Sequence, residues 1–233
     1  MSTRLVSKVV PFLVLTVVLL LPPTTNAFRG SFKYNGVNGK EDPSWPLSLF
    51  LNDTFENDTV GSAPKNWNTF GKDYSLATDN STACLGNKSA KFFGNSTLGT
   101  SVVYRYFTEQ MSTTVVTFAL KVTNVGANFA GVEVYVDDDN FNGSNIIFSS
   151  NMTVQYREPG DKLVTIRDRY SPDRWYKIEF VMNIPQRFYQ IHMDDCLEIR
   201  NANFTGPTDH VRRLAIRESS KFGNSTVYID QVI

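Results

Sequence analysis

Few residues of this chain have the types and spacing that chemistry needs. It holds two histidines, His192 and His210, so a zinc centre would have to be completed by carboxylates. No Ser/His/Asp order and no phosphate-cradling glycine loop occurs. Glu133 and Glu179 fall on the non-core faces of their segments, where paired carboxylates can share a proton. The competing reading is two solvated strand residues, because charged side chains are mostly exposed.

One stretch has the letters of a cation site. In VYVDDDNFNGSN, Asp138, Asn140, Asn142 and Gly143 match D-x-[DN]-x-[DN]-G, the first half of an oxygen-rich calcium loop. The twelfth position is Ser149 in place of Glu, and no helical pattern flanks the stretch. The same letters suit a β-hairpin tip, where Asn-Gly readily takes positive φ. No cofactor is required by the sequence, and calcium is the one candidate.

Binding is better equipped than catalysis. Aromatic residues make up 13% of the chain. Trp67, Tyr74, Tyr104, Tyr135, Trp175, Phe188 and Tyr228 are expected on non-core faces or loops. Aromatic rings stack on the apolar faces of sugars while Asn, Asp and Arg supply directed hydrogen bonds. Tyr135 and Trp175 are the foremost ligand-binding candidates, each out of phase with the buried set of its strand, and Glu133 and Glu179 lie beside them.

The elements that must position these residues are strands. Val116, Phe118, Leu120 and Val122 alternate with Thr117, Ala119 and Lys121. Val132, Val134 and Val136 repeat the pattern, as do Tyr176, Ile178, Phe180 and Met182. Period two over four or more residues marks a half-buried strand. About a dozen such segments with turn residues between them predict an all-β chain of two packed antiparallel sheets. No linker or repeat divides residues 53–233, so a single domain is expected there, preceded by a strand and loop extension over 28–52.

The ends and the composition set the expected address. Arg4 and Lys8 precede an apolar run of 13 residues and the triplet Thr25-Asn26-Ala27, the order of a secretory signal peptide over 1–27. That run falls short of the roughly 20 residues that span a bilayer, so no membrane insertion is expected. Nine sequons, at Asn52, Asn57, Asn80, Asn87, Asn95, Asn142, Asn151, Asn203 and Asn224, agree with a secreted, N-glycosylated product. Without the leader, 21 basic residues face 23 acidic ones, a balance that argues against nucleic acid as partner. Cys84 and Cys196 form an even pair in an oxidising compartment, and a disulfide between them is expected, the competing reading being two buried thiols too far apart to bridge.

The order of segments resembles a known family. DTFENDTVGSAPKNW is similar to the opening of secreted concanavalin A-like (laminin G-like) jelly-roll domains, and Lys88-Ser89-Ala90-Lys91 to their next strand. SPDRWYKIEFVMNIPQRFYQIHMDDCLEI resembles their W-Y strand and following hairpin, and VYIDQVI their terminal strand. The resemblance covers Asp53 to Ile233 and implies a two-sheet antiparallel jelly-roll sandwich that binds a glycan or an extracellular protein. One departure is Asp195-Cys196 where the family has a turn glycine, which suggests a turn tied by the disulfide.

Enzymes occur on the same scaffold. Gln190-Ile191-His192 resembles the Q-(I/V)-H strand of jelly-roll alginate lyases, in which Gln neutralises a uronate carboxylate and His takes part in proton abstraction. The R-x-E-x-R and Y-F-K-x-G-x-Y-x-Q strands of those lyases are absent, as is the E-x-D-x-x-E strand of retaining glycosidases. The expectation is therefore a non-catalytic glycan- or partner-binding protein. A polysaccharide lyase or hydrolase and a structural or adhesive extracellular protein stand as the alternatives.

Overall fold

The computed structural model describes residues 51–71, 74–96, 101–123, 131–218 and 223–233. The expected leader, and all but the last two residues of the expected extension, lie outside the described residues. Fourteen strands are described. They are β1 (Trp67–Phe70), β2 (Tyr74–Asp79), β3 (Ser89–Ser96), β4 (Ser101–Gln110), β5 (Thr113–Thr123), β6 (Gly131–Asp137) and β7 (Gly143–Ser149), followed by β8 (Val154–Glu158), β9 (Lys162–Arg167), β10 (Trp175–Asn183), β11 (Phe188–Met193), β12 (Cys196–Asn203), β13 (Val211–Glu218) and β14 (Gly223–Asp230). They form two seven-stranded antiparallel sheets, β1-β4-β13-β6-β7-β8-β9 and β12-β11-β10-β5-β14-β3-β2. The two-sheet sandwich expected from the alternation is the architecture observed.

The period-two sets define the core. Val116, Phe118, Leu120 and Val122 of β5, Val132, Val134 and Val136 of β6, and Tyr176, Ile178, Phe180 and Met182 of β10 are all at most 2% exposed. Burying such a side chain contributes about 1.5 to 3 kcal/mol, so these faces fix which way each sheet turns its other residues. A one-residue slip in any of these strands would exchange core for solvent. The outward faces are thereby determined as well.

The two ends of the domain are tied by Asp53. Its backbone pairs with Val232 in both directions, at 2.8 and 2.9 Å. Its carboxylate accepts from the Phe55 amide at 3.1 Å, from Trp67 Nε1 at 2.9 Å and from Arg105. Trp67 is therefore a core residue, 7% exposed and packed on Phe55, and not the outward aromatic expected of it.

The β11–β12 hairpin also departs from expectation. Cys84 and Cys196 are both free thiols, so no disulfide ties this turn. Asp194 and Asp195 take φ of 53° and 64°, a two-residue turn of the kind that glycine normally serves. Aspartate tolerates this region better than most residues, and here side-chain contacts hold it. The Lys177 amide donates to Asp194 Oδ1 at 3.1 Å, Arg174 to Asp194 Oδ2 at 2.7 Å, and Lys177 Nζ to Asp195 at 2.5 Å. Burial, then the carboxylates of Asp230 and Asp194, push the Cys84 thiol up to about 12, which keeps it protonated and unreactive at neutral pH.

Candidate functional site

The outward face of the first sheet carries charges that are buried although, among the described residues, no further layer of sheet lies over them. Antiparallel register places Glu133 of β6 between Arg217 of β13 and Ile147 of β7. One step along, Tyr135 lies between Ala215 and Asn145, and Tyr104 of β4 lies beyond Ala215. A further step pairs Asp137 with Arg213. Glu133 is 3% exposed, Tyr135 2%, and Asp137 and Asn145 0%.

These groups hold one another. Glu133 Oε1 accepts from Arg157 at 2.6 Å, while Oε2 accepts from the Tyr135 hydroxyl at 2.6 Å and contacts Arg217 at 2.5 Å. Arg213 meets both oxygens of Asp137 at 2.8 Å, the geometry of a guanidinium on a carboxylate. Burial, then the Glu133 carboxylate, drive the Tyr135 hydroxyl well above the usual phenol range, so it acts as a donor. Burial opposes the charge on Arg157, and Glu133 outweighs it, raising the guanidinium above its ordinary value. The cluster sets three guanidiniums, Arg157, Arg213 and Arg217, against Glu133 and Asp137, with Asp161 at 3.3 Å from Arg157 and Asp139 at 3.8 Å from Arg213.

The pairing is incomplete. Nε of Arg157 and Nε of Arg217 are buried without a hydrogen-bond partner among the described residues. A buried unsatisfied donor is costly and rare in folded proteins, and such groups mark places where water or a ligand completes the bonding. An array of fixed guanidinium donors with aromatic neighbours suits an acidic, ring-shaped ligand.

A roof over this face comes from the β6–β7 loop, residues 138–142. Phe141 takes φ of 62°, a strained conformation for a bulky side chain, and its ring packs against Tyr135 at 5.0 Å. The Arg213 and Arg217 guanidiniums lie 4.6 and 5.2 Å from that ring. Gly143 begins β7 because a Cβ there would come within 2.2 Å of the Val136 carbonyl. Positive φ falls on Asp139 and Phe141, not on the Asn-Gly pair to which the sequence assigns it. Outside the roof, Tyr104 and Tyr106 pack edge to face at 5.3 Å, and Tyr106 is 47% exposed.

Of the four ligand-binding candidates from sequence, Glu133 and Tyr135 meet here. Tyr135 is not the exposed platform expected of it but the buried centre of the cluster. Trp175 and Glu179 lie on β10 in the other sheet, and the structure does not bring the two pairs together. Glu179 faces His192 on β11 and Thr117 on β5, and His192 Nε2 lies 3.4 Å from Gln190. Burial pushes the Glu179 carboxyl upward against the pull of His192 and Lys177. Trp175 is half-buried, edge-on to Tyr228 at 6.4 Å.

The residues expected to hold calcium are engaged with the protein. Asp138 Oδ1 accepts from the amides of Asn140 at 2.9 Å and Asn142 at 3.3 Å, and Oδ2 from Asn142 Nδ2 at 3.2 Å. Asp139 pairs with Arg212. Among the described residues no group of three or more His, Cys, Asp or Glu side chains is placed to hold a metal ion. Of the sequons, Asn52, Asn57, Asn80, Asn87, Asn151 and Asn203 are exposed and Asn142 is half-buried. Asn95 and Asn224 stand opposite each other on β3 and β14, and their side chains lie outside the described residues.

Sequence reasoning passed over Arg157, Arg213 and Arg217. The signal was present in VRRLAIRE, where Arg213 and Arg217 run out of phase with the core residues Leu214 and Ile216.

No protein-family model matches the chain, and no curated protein matches it by sequence. Solved structures do. A sialidase aligns with a TM-score of 0.63 at 15% identity, over 78% of this chain and 18% of that one. A cellulose-induced protein, Cip1, aligns with a TM-score of 0.57 at 13% identity, over 78% and 95% of the two chains. An endo-β-1,4-glucuronan lyase from the fungus Trichoderma reesei aligns at 0.51 and 12%, over 78% and 93%. The chain thus spans less than a fifth of the sialidase and nearly the whole of the other two. At these identities the likeness is one of architecture: the chain has the concanavalin A-like, two-sheet jelly-roll fold.

Proposed function

We propose that this is a secreted, N-glycosylated, non-catalytic protein that binds an acidic glycan on the outward face of its first sheet. The observation that carries the reading is the buried Arg157–Glu133–Arg217 cluster with the Tyr135 hydroxyl at its centre and two guanidinium N–H groups left unpaired. The Arg157 and Arg217 side chains, 20% and 26% exposed, can turn guanidinium donors toward carboxylate or sulfate groups, and Tyr104 and Tyr106 offer rings for the apolar faces of sugars. The sialidase and the glucuronan lyase that share the fold support carbohydrate as the ligand class.

A glycan array tests it. The wild type is expected to give signal on acidic glycans, and Arg217→Ala to lose at least tenfold in affinity. Release of unsaturated uronate from an acidic polysaccharide, abolished by His192→Ala, would instead place the activity on the second sheet and make the protein a lyase.

A further inference from the structure

One sequon sits at the rim of the proposed site, and its side chain is built into the fold. Asn142 Nδ2, the atom a glycan would occupy, donates to Asp138 Oδ2 at 3.2 Å. Its Oδ1 lies over Gly206, so close that a Cβ on that glycine would come within 2.0 Å of it. The segment around it is clamped to the loop after β12. Thr205 Oγ1 donates to the Phe141 carbonyl and accepts from the Gly143 amide at 3.1 Å, and the Thr205 amide donates to the Gly143 carbonyl at 3.1 Å. Ser144, the sequon's third residue, is wholly buried.

We propose that Asn142 is a structural lock and not a glycan acceptor. Its carboxamide closes the 138–142 loop onto residues 205–206 and so holds Phe141 as the roof over Tyr135, Arg213 and Arg217. A glycan on Nδ2 would remove the bond to Asp138 and force the loop off Gly206. The consequence for the molecule is that the strands of the first sheet hold no glycan acceptor. Gly143 and Ser144 of the Asn142 triplet open β7 while the asparagine itself precedes the strand, and the other sequon flanking β7, Asn151, lies beyond its far end. Six other sequon asparagines are exposed and open to modification; one of them, Asn203, heads the triplet Asn203-Phe204-Thr205, whose Thr205 is the residue that clamps this loop. The second part of this inference rests on the reading of the chain as a secreted glycoprotein.

Two variants separate lock from acceptor. Ser144→Ala destroys the sequon and keeps the carboxamide, whereas Asn142→Gln destroys the sequon and displaces the carboxamide. Made in a eukaryotic secretory host, Ser144→Ala is expected to keep the wild-type glycan mass and to melt only slightly lower, because the buried hydroxyl makes only long contacts, 3.4 Å to the Val136 carbonyl and 3.3 Å to Met182 Sδ. Asn142→Gln is expected to melt lower by on the order of 3 °C, the scale on which losing a side-chain contact shifts a domain of this size. A Ser144→Ala protein lighter by a glycan, or two variants with equal melting temperatures, would overturn the proposal. If glycopeptide mapping finds no sequon modified at all, the glycoprotein reading fails while the melting comparison still judges the lock.

Discussion

Glu133 is the residue on which the first-sheet cluster turns. Both its oxygens are used, by two guanidiniums and a phenol, at 3% exposure. Removing one partner from a buried ion-pair set leaves the others desolvated and uncompensated, which costs about 3 kcal/mol or more. Glu133→Ala is therefore expected to lower the unfolding free energy by about that much in a denaturant titration, far beyond a solvated strand residue, whose loss stays within about 0.5 kcal/mol. Arg217→Ala is expected to be milder, because Arg157 still neutralises Glu133 and the Arg217 side chain is 26% exposed. The difference between the two variants distinguishes a residue that holds the site from one that faces the ligand.

At the scale of elements, loops decide what the strands present. The segment between β2 and β3 is docked by Asp230 of β14, whose Oδ2 accepts from the amides of Cys84 at 2.9 Å and Leu85 at 3.1 Å. Burial pushes the Asp230 carboxyl up to about 6, against those backbone bonds. A folded-state value above the unfolded one stabilises the fold fully below the unfolded value near 4, and that stabilisation is lost as pH rises through about 6. Melting temperature is thus expected to carry a component that declines between pH 4 and 6.5, and Asp230→Asn to flatten it. An unchanged slope in the variant would show that another group is responsible.

The β6–β7 loop makes a second element-scale prediction. Its acids already have partners, Asp137 and Asp139 in Arg213 and Arg212, and Asp138 in the amides of its own loop. Adding calcium or chelator is expected to leave the melting transition where it is; a rise of several degrees with calcium would show that the loop rearranges around the ion.

These elements also show what could be read from the chain and what could not. Strands such as β5 and β10 were legible because period-two alternation of Val, Phe, Ile and Met with polar residues has one physical solution, a sheet with one face buried. The short β1 and β2 were missed because WNTF and YSLATD hold too few apolar residues to show the period. Tyr135 was placed on the correct side of its strand, yet its burial depends on Phe141 and on Arg217 from β13, contacts that no local pattern encodes. The β11–β12 turn was expected to need a disulfide because Asp replaces Gly, and the contacts that stabilise it come from Lys177 and Arg174, about twenty residues away in sequence.

For the whole molecule, the two outward faces carry different chemistry. The first sheet offers locked guanidiniums under an aromatic roof, and the second offers Gln190, His192, Glu179 and Trp175. Binding through the first and proton transfer through the second are separable outcomes, because neither set of side chains contributes to the other's sheet. The most direct test of the account is one titration of an acidic oligosaccharide against wild type, Arg217→Ala and His192→Ala, followed by calorimetry. The account predicts that His192→Ala binds as wild type does while Arg217→Ala loses at least tenfold in affinity. Unchanged binding by Arg217→Ala together with loss in His192→Ala would contradict it.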